Sequence, residues 1–411
     1  MSRKMSTSAL IYAATISMPA TAGARPEDEL TRSRAWVNKD GKFANPWPSW
    51  NDQTPYKIGM GLIKRKFAGK ANSPDTTPPT VPVRKPEFLS DRSHTNDKIR
   101  ATWLGHACYY VEFPSGLRVL FDPVFEDRCS PFSFMGPKRY TESPCQIKDI
   151  PIIDAVIISH AHYDHLSYPT VVEISNSHPE AHFFVPLGNK KWFKDCGITQ
   201  CTELDWWDEV DFTLSPKSSD GKRASISTTG SAQPQEDGIT SRISCLPCQH
   251  TANRGLTDRG ATLWASWAVT TKSPTGSEKK LWFGGDTGYR AVPEEADGKD
   301  DWSEEYAHLP QCPAFKDIGK YRGPFDLGLI PIGAYSPRWV MSPMHANPRD
   351  SVEIFRHTKC ERALGIHWGT WVLTEEDVLE PPRKLKDALK LYSIPEEGVF
   401  DVCDIGESRE V

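Results

Sequence analysis

The sequence predicts an α/β protein, a four-layer αββα sandwich, and two observations carry that expectation. Short apolar runs come in two batches, each followed by helical segments, the pattern of two sheets covered by helices. Within the first batch, the run ending at Ile158 opens into Ser159-His160-Ala161-His162-Tyr163-Asp164-His165-Leu166. Three imidazoles and a carboxylate thus stand in a turn where a strand ends. With 411 residues the chain can bury a large core, as one big domain or two ordinary ones.

Taken in order, residues 1–40 read as a mobile N-terminal or targeting segment. Arg3 and Lys4 precede a mildly apolar stretch from Ala9 to Met18, and Ala20-Thr21-Ala22 resembles a small-residue cleavage site. Thr15 and Ser17 interrupt that stretch and make it a weak secretory signal. Residues 41–97 form an aromatic, Pro-rich region: Asn45-Pro46-Trp47-Pro48-Ser49-Trp50, then a Pro/Thr linker at 73–86 without a core pattern. From 98 to 411 the signal is that of a compact domain. Ala101–Leu104, Cys108–Phe113 and Leu117–Phe121 read as short strands parted by Gly105-His106 and Pro114-Ser115-Gly116 turns. Ile152–Ile158 is a further strand, and Pro169–Ser175 a helix with Pro near its start. His182–Val185, Ile198–Leu204 and Val210–Leu214 complete the first batch.

The polar stretch 215–240 reads as an exposed insertion, after which strands resume at Ser244–Pro247, Thr262–Thr270 and Lys280–Gly284. An acidic insertion lies near 293–310. Phe325–Pro331 and Leu364–His367 are strands, Arg349–His357 a helix, and a last helix spans Arg383–Leu391.

Composition narrows the function classes. Charged residues make up 25% of the chain, net charge is −5, and no basic stripe dominates, so nucleic acid is excluded as a partner. No apolar run reaches the roughly 18 residues of a spanning helix. The ten cysteines are scattered; the one CxxC, Cys245-Leu246-Pro247-Cys248, reads as buried strand thiols of a reducing, intracellular setting. Fourteen tryptophans suit either core packing or a surface that grips lipid, and their number alone does not choose.

Burying the His160–His165 cluster without partners would be costly. A pair of divalent metal ions gives each group a partner. His and carboxylate donors suit zinc, and iron and manganese accept similar sets. Three further candidates stand where later strands end: His250, Asp286 and His367. Asp286 sits in Phe283-Gly284-Gly285-Asp286-Thr287-Gly288, where glycines permit a tight turn. Alone, each such residue is ordinary. As an ordered series with the cluster they are not.

The pattern HxHxDH followed by His, Asp and His resembles the metallo-β-lactamase superfamily. The resemblance implies that superfamily's αββα fold and two metal ions. One ion is held by His160, His162 and His250, the other by Asp164, His165 and His367, with Asp286 and a water or hydroxide bridging them. Several longer stretches resemble the N-acyl-phosphatidylethanolamine-hydrolysing phospholipase D family. They include Asn45-Pro46-Trp47-Pro48, Thr102-Trp103-Leu104-Gly105-His106-Ala107 and Phe134-Met135-Gly136-Pro137-Lys138-Arg139. Glu203-Leu204-Asp205-Trp206-Trp207, Leu263-Trp264-Ala265-Ser266-Trp267 and Pro331-Ile332-Gly333-Ala334-Tyr335-Ser336-Pro337-Arg338-Trp339 extend the match. Ile366-His367-Trp368-Gly369-Thr370, Glu380-Pro381-Pro382 and Gly406-Glu407-Ser408-Arg409 carry it nearly to the C-terminus. The N-terminal 35 or so residues and both insertions depart from the family's compact pattern, without removing a metal ligand.

That resemblance implies zinc-dependent cleavage of the phosphodiester between phosphatidic acid and an N-acylethanolamine. Asp164 is the candidate for orienting or deprotonating the nucleophile, and His345 for contacting the phosphate or protonating the leaving oxygen. Gln249, Tyr335 and Arg338 are expected to line the pocket, with a structural salt bridge the alternative for Arg338. A membrane phospholipid would be reached by peripheral docking, for which Trp47 and Trp50 suit a bilayer interface or, equally, packing on the catalytic domain. The resemblance also suggests a homodimer. Rival readings are a lactonase or soluble phosphodiesterase on the same fold, and a non-catalytic metal-binding protein.

Overall fold

Runs such as Ala155-Val156-Ile157 are apolar at every position, the mark of strands covered on both faces. The structure, a computed structural model, describes residues 12–27, 40–52, 55–92, 96–216, 238–255 and 257–411. Arg3, Lys4 and most of the 215–240 insertion lie outside the described residues.

The first half contains β1 (Tyr12–Ser17), α1 (Pro55–Phe67), β2 (Arg100–Gly105), β3 (Cys108–Glu112), β4 (Arg118–Phe121), β5 (Ala155–Ile157), α2 (Tyr168–Ser177), β6 (His182–Pro186), α3 (Lys190–Asp195), β7 (Cys201–Leu204) and β8 (Glu209–Pro216). The second contains β9 (Ile239–Leu246), β10 (Ser266–Lys272), β11 (Glu278–Phe283), α4 (Ala314–Tyr321), β12 (Phe325–Pro331), α5 (Arg338–Met341), α6 (Pro348–Thr358), β13 (Cys360–Ile366), α7 (Glu380–Leu391), β14 (Phe400–Asp401) and β15 (Ser408–Glu410). One sheet has the order β15-β2-β3-β4-β5-β6-β7, the other β1-β8-β9-β10-β11-β12-β13-β14.

The sheets face each other across a shared core. Phe121 of β4 meets Phe283 of β11 with ring centroids 4.9 Å apart. The Trp267 indole of β10 donates to the Ile158 carbonyl beyond β5 at 3.0 Å. Helices take the outer layers: α3 lies against β7, while α6 lies against β12 and β13 with α4 and α7 packed upon it. The αββα sandwich is therefore the observed fold. Ser167 caps α2 and Pro169 stands in its first turn, the start the sequence predicts.

Strand direction positions the site. Within the first sheet β2, β4 and β5 run the same way; within the second so do β9, β11 and β13. Their C-terminal ends carry His106, Asp122, His160, His250, Asp286 and His367. Ligands of open α/β sheets gather at such ends, where chain leaves the sheet and polar groups can converge.

Tyr12–Ser17 departs from its sequence reading, and Trp47 takes one of the two roles the sequence left open. Tyr12–Ser17, read as part of a mobile segment, is an edge strand paired antiparallel with Asp211–Pro216. Its partner strand is remote in sequence, so local pattern could not reveal it. Trp47 is buried and stacks on Trp206 with centroids 5.4 Å apart, so this segment packs on the catalytic domain and Trp47 presents no ring to a bilayer. The acidic insertion is tied to the catalytic domain: Asp301 pairs with Arg338 at 2.7 Å, and Trp302 donates to Asp350 at 3.0 Å. Cys245 and Cys248 are free buried thiols, as the sequence suggests. Among the described residues no helix is long and apolar enough to cross a membrane.

Candidate metal centre

The turn after β5 brings its histidines against residues from the second sheet. His160 Nε2 lies 2.8 Å from His162 Nδ1, and His250 Nε2 lies 3.2 and 3.3 Å from those two atoms. A second group forms beside it: Asp164 Oδ2 is 3.3 Å from both His165 Nε2 and His367 Nε2. Asp286 stands between the groups. Its Oδ2 is 2.9 Å from His367 Nε2 and 3.1 Å from His165 Nε2, against 3.7 and 3.9 Å to His250 and His160 Nε2. All seven sequence-predicted ligands thus converge. Gly285 makes the approach of Asp286 possible: its φ is +57°, and a Cβ there would sit 2.6 Å from Ser159 Cβ.

Whether these residues fit a pair of cations is decided by their outward hydrogen bonds. His160 Nδ1 donates to Ser159 Oγ (2.8 Å), His165 Nδ1 to Asp122 Oδ2 (2.6 Å), His250 Nδ1 to the Met344 carbonyl (2.9 Å) and His162 Nε2 to Asn253 Oδ1 (3.0 Å). Each such bond fixes the tautomer and turns the other nitrogen's lone pair inward. Inward lone pairs about 3 Å apart repel one another unless a cation takes them. His165 Nε2 and Asp286 Oδ1 are moreover buried without a hydrogen-bond partner. The donor set fits divalent cations.

The charges agree. Burial, helped by neighbouring imidazoles, holds His160 and His250 well below the usual histidine range, so they are neutral donors. Burial opposes charge on His165 and His367 too, yet Asp286 and Asp164 outweigh it and lift His367 to about 9. The carboxylates thus draw positive charge into the centre, which divalent cations would supply.

The sequence missed three supporting residues, Asp122, Ser159 and His106. Asp122 accepts from His165 and also from the Ser159 hydroxyl at 2.5 Å, so one carboxylate braces a histidine of each set. His106 places Nε2 3.0 Å from Asp164 Oδ2. Each is a polar residue at a strand end beside the His160 turn, the one signal that could have marked it.

The secondary residues fall differently. His345 lies at the centre, and its Nδ1, 3.8 Å from Asp286 Oδ2, is a buried atom without a hydrogen-bond partner. Gln249 does not line the pocket: its amide nitrogen donates to the Pro343 and Ser49 carbonyls, and its oxygen accepts from Ser49 Oγ. Tyr335 is also turned away, its buried hydroxyl donating to Glu380 at 2.7 Å. Arg338 takes the structural alternative, paired with Asp301 (2.7 Å) and Asp350 (2.6 Å) and donating to the His345 carbonyl at 3.4 Å.

The family model of the Beta-lactamase superfamily domain matches residues 117–368. N-acyl-phosphatidylethanolamine-hydrolyzing phospholipase D 1 of Caenorhabditis elegans is 37% identical over 337 residues, covering 80% of each chain. The mitochondrial N-acyl-phosphatidylethanolamine-hydrolyzing phospholipase D of Saccharomyces cerevisiae is 28% identical over 380 residues, 84% of this chain and 71% of that one. Isothiocyanate hydrolase from Delia radicum gut bacteria has a solved structure covering 75% of this chain and 98% of its own, at 14% identity and a TM-score of 0.46. Fold and site define a metal-dependent hydrolase of the beta-lactamase superfamily. Within it, the chain belongs to the N-acyl-phosphatidylethanolamine-hydrolysing phospholipase D family.

Proposed function

We propose that this chain is a phospholipase D-type phosphodiesterase that releases N-acylethanolamine and phosphatidic acid from N-acyl-phosphatidylethanolamine, using two zinc ions. His160, His162 and His250 would hold one ion, Asp164, His165 and His367 the other, with Asp286 shared. Bound there, the ions supply a Lewis acid for a phosphate oxygen and lower the pKa of water. Asp164, facing the middle of the site, orients that water and takes its proton. The water oxygen bonds to phosphorus, the bond from phosphorus to the ethanolamide oxygen breaks, and that oxygen takes up the proton Asp164 received from the water. Burial pulls His345 down to about 3, which favours a neutral ring donating a hydrogen bond to a phosphate oxygen over a charged acid.

The observation that carries the lipid substrate is α1. Tyr56, Met60, Ile63 and Phe67 recur at i, i+4, i+7 and i+11, and all are exposed, Phe67 by 88%. Exposed Lys64 and Lys66 flank the stripe. A second apolar projection, Phe132, Phe134 and Met135, is also exposed. An apolar ridge edged by lysines suits the surface of a phospholipid bilayer. Peripheral docking through α1 is the corresponding proposal, in place of docking through Trp47.

Incubating the metal-loaded protein with mixed N-acyl-phosphatidylethanolamine and phosphatidylcholine vesicles tests the reading. The expected result is N-acylethanolamine and phosphatidic acid, abolished by chelator and by Asp286→Asn. Equal activity of metal-free protein, or turnover of soluble esters and lactones alone, overturns it.

A further inference from the structure

His106 is not among the seven predicted ligands, yet it contacts all three members of one donor set. We propose that it is a positioning residue for the Asp164–His165–His367 set alone, an inference that rests on the two-cation reading above. His106 stands in the tight turn between β2 and β3, buried, at φ +51°, a left-handed conformation uncommon outside glycine. Three bonds account for that placement. Its Nε2–H donates to Asp164 Oδ2 at 3.0 Å. Its carbonyl accepts from the His367 N–H at 3.1 Å. Its own N–H donates to Thr370 Oγ1 at 2.7 Å, three residues beyond His367.

Asp164 and His367 come from opposite sheets, so their spacing is not set by either one. His106 supplies the common reference, through its ring for Asp164 and its main chain for His367. The ring lies 4.2 Å from the His367 ring and 4.9 Å from Trp371 edge-on, which leaves it little freedom to turn. Among the described residues, no hydrogen bond or ring contact of His106 reaches His160, His162 or His250. Asp122 differs, because through Ser159 it braces both sets. Removing the His106 ring frees Asp164 to rotate and leaves the three-histidine set intact, so its effect on metal binding is one-sided.

The test titrates chelator-stripped protein with Co2+, reading d–d absorption and competition with a chromophoric chelator, with thermal unfolding as the folding control. Wild-type protein binds two equivalents. In His106→Ala one equivalent binds as in wild type and the other is weakened about 10- to 100-fold, the usual cost of losing a partner that orients a ligand. His106→Gln, whose amide N–H can stand near the position of Nε2–H, restores most of the weakened affinity. Equal weakening of both equivalents, or no weakening, overturns the proposal. So does a His106→Gln variant as weak as His106→Ala, which would make the ring a direct ligand. Failure of wild-type protein to bind two equivalents is a separate result, and it overturns the two-cation reading itself.

Discussion

At the residue scale, what the sequence revealed depended on whether a residue's chemistry was left over. The seven ligands were legible because each stands just past a strand with donor atoms that a sheet end does not need. Gln249 and Tyr335 looked similar by residue type, but their polar atoms are consumed by Ser49, Pro343 and Glu380. Asp122 was illegible for the converse reason: its role exists only once β4 lies beside β5 and Ser159 comes within 2.5 Å. Two outcomes follow from these placements. Asp122→Ala leaves His165 Nδ1 and Ser159 without their acceptor, so affinity for both equivalents of metal falls, about 10- to 100-fold for the set holding His165, in the Co2+ titration. His345→Ala removes a ring that contacts no member of the HxHxDH turn through a hydrogen bond. Its bound metal, measured by elemental analysis, stays at the wild-type level while turnover falls about 10²- to 10³-fold, the range for losing one hydrogen-bond donor to developing charge. Loss of metal together with turnover would instead make His345 part of the donor shell.

At the element scale, α1 is the feature the sequence concealed. Gly59 and Gly61 dilute its helix propensity, and a Pro/Thr linker follows it, so local pattern reads as irregular. The structure supplies the reason for one glycine. A Cβ on Gly61 would sit 2.0 Å from the Trp339 indole, so glycine lets the helix press against the segment leading to His345. Arg65 secures the same inner face, paired at 2.6 Å with Asp297 of the acidic insertion and at 2.6 Å with Glu375. The inner face is thereby anchored and the outward stripe left exposed. Each of its side chains, fully withdrawn from water, contributes about 1.5–3 kcal/mol. Ile63→Ser with Phe67→Ser should therefore lower binding to phosphatidylcholine vesicles at least about tenfold in a sedimentation assay. Turnover of a detergent-dispersed substrate should stay near wild type. Unchanged vesicle binding, with a shift from dimer to monomer in sedimentation velocity, would reassign the stripe to a second copy of the chain.

At the scale of the whole molecule, the order of strands within each sheet lay beyond the sequence, since pairing of β1 with β8 or β15 with β2 joins remote segments. The two-batch pattern nevertheless sufficed for the architecture, because buried strands announce themselves by unbroken apolar runs. Stability across both halves has a pH signature away from the metal centre. On β6, burial, with a smaller push from Lys190, pulls His182 down to about 4. On α6, burial outweighs the nearby Glu353 and pulls His357 to about 4 as well. Both are neutral in the folded protein at pH 5, whereas in the unfolded chain a histidine near 6.5 is then mostly protonated. The unfolded state binds more protons in that interval, so stability falls as pH falls. The contribution is fully present above about 6.5, is lost progressively below it, and levels off near 4. Each histidine adds up to about 1.4 kcal/mol per pH unit to the slope at its steepest. Urea unfolding of the wild type and of a His182→Gln, His357→Gln double variant, in the same metal state, separates this from titration of the ligands. The variant should show the shallower loss between pH 6.5 and 4, and parallel curves would mean that these two histidines take up protons equally in both states.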